Sequence, residues 1–107
     1  MAKAFINSEL GKEAVNSTWK KTEYNFRSRE NDKIVKGTMD LVFKNQAADS
    51  YTIVDYKTDS VIAPETYTEQ IRCYAQAISK MLSCPLHNIK CYLYYLRHGK
   101  AVYLNIG

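Results

Sequence analysis

The sequence predicts an α/β domain of the α+β kind, with helices flanking one central sheet in the order α-β-β-β-α-β-β. Three observations carry that expectation. Apolar residues recur at helical spacing over 2–19 and again over 67–82. Five other stretches either alternate with a period of two or form short β-branched and aromatic runs. The polar connections between them are short, with 4 Gly and 2 Pro in 107 residues, so nothing marks a domain boundary. A chain of this length, 46% hydrophobic and 24% charged, buries one core and is too short for a helicase, a motor or a large barrel.

In the first stretch Phe5, Ile6, Leu10, Ala14 and Val15 share one face of a helix expected over 2–19, weakened by Gly11. Residues 23–27 then set Tyr24 and Phe26 against Glu23, Asn25 and Arg27, and 28–33 read as a turn into a second strand over 34–44. On that strand Val35, Gly37, Met39, Leu41 and Phe43 form one continuous apolar face, and Lys36, Thr38 and Asp40 fall on the other. A second turn over 45–50 leads to a third strand over 51–57. After a polar connection containing Pro64, the residues Tyr67, Ile71, Tyr74, Ala75, Ile78, Met81 and Leu82 make the apolar stripe of a helix that Cys84 and Pro85 end. Residues 89–96 and 101–106 are the last two strands, joined through Gly99.

Lys and Arg outnumber Asp and Glu by 15 to 11, a net charge of +4 that eases the approach of a polyanion without requiring one. No apolar run reaches the roughly 20 residues of a membrane-crossing helix, and the first residues lack the pattern of a signal peptide. The expected location is the cytoplasm, with no membrane partner. Cys73, Cys84 and Cys91 have neither CxxC spacing nor a histidine pair beside them and read as reduced core thiols.

The chemistry concentrates on two strands. The period of two places Asp55 and Lys57 on one face of the third strand, about 6.5–7 Å apart at Cα. Asp40 is a carboxylate in the second strand, where packing is expected. Asp40 and Asp55 each stand five residues from the edge of the turn over 45–50, so antiparallel pairing brings them side by side. Two carboxylates at that range repel unless a divalent cation neutralises them, and oxygen-only ligation suits Mg²⁺ or Mn²⁺ rather than zinc. The competing reading is a plain edge ion pair or a solvated strand end, and on either reading Lys57, at the solvent end of its strand, is expected to contribute little to stability. Glu23, at the start of its strand, is a further candidate for the acidic cluster.

Gly37-Thr38-Met39-Asp40, then Asp55-Tyr56-Lys57-Thr58-Asp59, then Gln70-Ile71-Arg72-Cys73-Tyr74 resemble the nuclease domain of the RecB/AddA-type recombination helicase-nucleases, within the PD-(D/E)xK superfamily. The resemblance covers about residues 23–96. It implies a restriction-endonuclease-like core, a central mixed β-sheet flanked by helices. It also implies metal ligation by Asp40, Asp55 and the Tyr56 backbone carbonyl, Lys57 as the catalytic lysine, and Gln70 and Tyr74 lining the site from the following helix. The implied activity is that of a Mg²⁺- or Mn²⁺-dependent deoxyribonuclease, an exonuclease in double-strand-break processing. Its implied partners are DNA, the helicase portion and a partner subunit, with 1–107 as a single nuclease domain, a C-terminal fragment of a larger enzyme.

One departure stands out. The family usually supplies a histidine ligand upstream of the GxxD strand, and no His precedes Asp40. Either a preceding helix belongs to the parent chain or the metal site is incomplete, so the chain alone is expected to cut weakly. Three scattered cysteines argue against the iron–sulfur cluster of some relatives. Two alternatives remain: a catalytically silent DNA-binding or subunit-docking module, and a free-standing resolvase- or restriction-type nuclease that dimerises through Tyr92, Tyr94 and Tyr95.

Overall fold

The computed structural model describes residues 8–30, 32–45 and 50–106. In chain order these form α1 (Glu9–Asn16), β1 (Lys20–Glu30), β2 (Lys33–Lys44), β3 (Tyr51–Lys57), a 3₁₀ turn (Pro64–Tyr67), α2 (Thr68–Leu82), a second 3₁₀ turn (Leu86–Asn88), β4 (Ile89–Tyr95) and β5 (Lys100–Leu104). The strands make one sheet in the order β1-β2-β3-β4-β5. β3 and β4 run parallel, because the chain crosses over through α2 between them, and the other pairs are antiparallel. The element order and the mixed sheet match the expectation from the sequence.

Each face of the sheet carries a helix. Ile71, Tyr74, Ala75 and Ile78 of α2 pack on Phe26, Met39, Val42, Ile53, Cys91 and Leu93. On the other face, Leu10 and Ala14 of α1 pack on Leu41, Phe43, Val54 and Tyr94. Being covered on both sides, the middle strand β3 is buried without interruption from Thr52 to Asp55. The turn before it is clamped by Asn45, whose Nδ2 donates to Ser50 Oγ and whose Oδ1 accepts from Thr52 Oγ1, each at 2.7 Å. That clamp fixes the β2–β3 register.

Three expectations need correction. The first helix does not reach Trp19. It begins after Ser8, whose Oγ accepts from Gly11 N–H at 3.0 Å, and ends at Asn16. Ser17 leaves the helix because its hydroxyl is shared between the carbonyls of Trp19 and Lys44, both at 2.6 Å, which ties this corner to the end of β2. Residues 2–7 of the expected helix lie outside the described residues.

The second correction concerns the apolar face of β2. Met39 and Val42 enter the α2-side core while Leu41 and Phe43 enter the α1-side core, so the alternation slips by one residue at Asp40. β1 slips with it: the register pairs Thr22 with Leu41 and Tyr24 with Met39, and Glu23 between them has φ 48°. Holding a non-glycine residue there costs about 1–2 kcal/mol. The third is Tyr67, which belongs to the 3₁₀ turn before α2 and not to the helix itself.

Gly37 is required by packing. A Cβ there would stand 3.1 Å from Phe26 Cε1 and 3.3 Å from Tyr74 Cε1. Its absence lets the Phe26 and Tyr74 rings meet edge to face, with centroids 5.3 Å apart, directly over the strand. Gly37→Val should therefore lower stability by about 1–3 kcal/mol in urea denaturation, although valine is the better strand former. An unchanged or higher midpoint would contradict this packing.

Candidate active site

The β2–β3 ladder ends at the pair Leu41↔Val54, and the same register continued by one residue sets Asp40 opposite Asp55. Here a side chain completes the strand: Tyr56 N–H donates to Asp40 Oδ2 at 2.8 Å. Asp40 thus stands at the end of the β2–β3 ladder as a carboxylate acceptor aimed at β3, half-buried where the alternation of β1 and β2 slips. Asp55 is 5% exposed, in the middle of the sheet on the α2 side.

Two residues further along the same face, Lys57 places Nζ 2.6 Å from Asp55 Oδ2. Lys57 Nζ also donates to Gln70 Oε1 at 3.3 Å and stands 3.8 Å from the centroid of the Tyr67 ring. The lysine side chain is 15% exposed, so it is enclosed and not a solvated strand end. Tyr67 in turn donates its hydroxyl to Asp59 Oδ2 at 2.5 Å.

Burial pushes the Asp55 carboxyl up to about 6, the contact with Lys57 works against the rise, and the neighbouring Asp40 carboxylate adds to it. Desolvation therefore outweighs the ion pair. Tyr74 lies one helical turn beyond Gln70 and is buried against Phe26. Burial, and then the charges of Asp55 and Asp40, hold its phenol above the usual range, while a hydrogen bond with Gln70 opposes them.

The oxygen-only donor set of Asp40 and the buried Asp55 fits a divalent cation of the Mg²⁺ or Mn²⁺ type. The set is small. Among the described residues no three His, Cys, Asp or Glu side chains gather at one point. Glu23 lines, with Thr22, Asp40, Tyr56 and Leu96, a cleft of about 420 Å³ on the flank of Asp40. It borders the carboxylate pair without joining it.

The structure thus brings Asp40, Asp55, Lys57, Gln70 and Tyr74 together around the end of the β2–β3 ladder, with Tyr56 between Asp55 and Lys57 in sequence. Sequence reasoning missed Tyr67 and Asp59 as members of this group. A signal was present: Asp59 closes the Asp55-Tyr56-Lys57-Thr58-Asp59 run, and Tyr67 stands three residues before Gln70. Tyr92, Tyr94 and Tyr95 do not form the expected tyrosine surface for a dimer, because Tyr94 and Tyr95 are 1% and 0% exposed and Tyr92 meets Tyr103 edge to face. Cys84 and Cys91 are buried free thiols, and Cys73 is only half-buried.

A family model of the PD-(D/E)XK nuclease superfamily matches residues 1–106. The chain belongs to that superfamily, whose members are typically nucleases, and its helix-flanked mixed sheet is consistent with a restriction-endonuclease-like fold. No curated protein matches the chain significantly.

The Asp55 shift gives a stability test with a definite sign. A carboxyl at about 6 when folded and 3.8 when unfolded favours the fold below pH 4, and that contribution is lost as pH rises through 6. In metal-free buffer Asp55→Asn should therefore be more stable than wild type at pH 8, by about 2 kcal/mol, with the difference vanishing near pH 4. A variant that is less stable at pH 8 would show that the ion pair outweighs desolvation.

Proposed function

We propose that this chain is a divalent-metal-dependent deoxyribonuclease of the RecB/AddA type, an exonuclease domain acting in recombinational double-strand-break processing. The observation that carries the reading is the convergence of Asp40, Asp55 and Lys57 at one strand end, with Gln70 reaching Lys57 from α2. Asp40, Asp55 and the Tyr56 carbonyl would hold Mg²⁺ or Mn²⁺. Bound there, the ion supplies Lewis-acid activation of water and neutralises charge developing on the phosphate.

The remaining work falls to the side chains. Lys57 orients the attacking water and sets a positive charge beside the phosphate as the water oxygen bonds to phosphorus and the 3′ oxygen departs. Lysine suits this role because its charge is compact and carries three donors, of which Asp55 and Gln70 engage part. Gln70, its Oε1 accepting from Lys57 and one amide proton given to Tyr74, has a second amide proton for a phosphate oxygen. Tyr74, wedged over Gly37, fixes α2 against the sheet and so sets the reach of Gln70. In this reading DNA is delivered by the helicase portion and a partner subunit.

A second reading, a silent nuclease-fold module that binds without cutting, is favoured by the small donor set, two carboxylate side chains among the described residues. Cleavage of linear DNA in Mn²⁺ separates the two. Wild type should cut, though weakly for want of the upstream histidine, and Lys57→Ala should lose about 10²-fold or more in kcat. Its melting temperature at neutral pH should also fall, because the buried Asp55 is left without a counter-charge. Full activity in folded Lys57→Ala would refute the role, and a wild type that binds DNA without cutting it would favour the silent module.

A further inference from the structure

Asp59 and Tyr67 hold no metal and touch no phosphate in the proposed reaction, yet both are committed to one contact. A lysine carries its charge on a flexible four-carbon stem, and at a strand end the ammonium swings toward solvent unless something stops it. Asp55 and Gln70 engage Nζ by charge and by hydrogen bond. The Tyr67 ring lies against it at 3.8 Å, within the range at which a cation is drawn to an aromatic face.

That ring is itself fixed from two sides. Tyr67 ends the 3₁₀ turn Pro64–Tyr67, in which Pro64 presets the first backbone angle and Thr66 N–H donates to the Ala63 carbonyl at 3.1 Å. Its hydroxyl donates to Asp59 Oδ2 at 2.5 Å. Asp59 follows Lys57 by two residues, so the tether links the segment that carries the lysine to the turn that faces it. The same hydrogen bond, above all other causes, raises the phenol to about 12. The hydroxyl therefore stays protonated and donating throughout the neutral and mildly alkaline range.

We infer that Tyr67, anchored by Asp59, is a positioning residue for Lys57, its ring face holding the ammonium beside Asp55 and Gln70. Its effect on rate, which rests on the nuclease reading of this site, falls on the chemical step and not on DNA binding. An aromatic ring at such a place could instead stack on a nucleobase, and that role would change KM.

The test combines a spectroscopic readout with kinetics on the full chain. Protons on Lys57 Cε lie beside the ring face and should be shifted upfield of the other lysines in a ¹³C–¹H correlation spectrum without metal or DNA. Tyr67→Phe should keep the shift, Asp59→Ala should weaken it, and Tyr67→Leu should abolish it. In Mn²⁺-dependent cleavage of linear single-stranded DNA, Tyr67→Leu should lose on the order of three- to thirty-fold in kcat with KM unchanged, and Tyr67→Phe should recover most of it. A Lys57 resonance that does not move in Tyr67→Leu overturns the inference, as does a loss confined to KM. A wild type that shows the shifted resonance but cuts no DNA upholds the placement of Lys57 and overturns the nuclease reading instead.

Discussion

A carboxylate buried in the middle strand of a sheet covered on both faces must be neutralised, paired or bound to something. Asp55 is in that position, and the groups around it answer its charge. Lys57 approaches it from the same strand face, and Asp40 faces it across the end of the ladder. The Lys57 contact does not fully compensate burial, since the carboxyl still rises to about 6. A site left electrostatically unfavourable by the protein alone is one that a divalent cation can complete, and catalytic sites commonly store such a deficit.

The scaffold delivers this arrangement through a few packing decisions. The crossover from β3 through α2 to the parallel β4 lays the helix over the strand that carries Asp55 and Lys57. Gly37 lets the helix approach closely enough for Tyr74 to meet Phe26, and that contact sets where Gln70 stands one turn earlier and where the 3₁₀ turn ending in Tyr67 enters the helix. On the β2 side, the slip at Asp40 frees its carboxylate from the regular alternation, so that it accepts a β3 N–H and still borders Asp55. The positive φ of Glu23 is the backbone strain that accompanies the slip.

Much of this was legible in the sequence. The period of two over Tyr51–Lys57 assigned Asp55 and Lys57 to one face, and counting outward from the turn over 45–50 placed Asp40 beside Asp55. The helical spacing of Gln70 and Tyr74 assigned both to the helix that covers the strand. What escaped was tertiary. Nothing local marks Glu23 for a left-handed backbone, because the slip answers the packing of two cores on opposite faces. The first helix stops at Asn16 because Ser17 bonds to the Lys44 carbonyl, a residue far along the chain. Tyr67 fits the apolar stripe of α2 by spacing, but its hydroxyl finds Asp59 and its ring finds Lys57, and hydropathy does not register a cation against an aromatic face.

The central claim is that Asp40 and Asp55 together hold one divalent cation. Mn²⁺ titration followed by electron paramagnetic resonance tests it without relying on activity. The account predicts one Mn²⁺ bound per wild-type chain, with binding lost in both Asp40→Asn and Asp55→Asn while each variant remains folded. Equal Mn²⁺ affinity in wild type and either folded variant would contradict it.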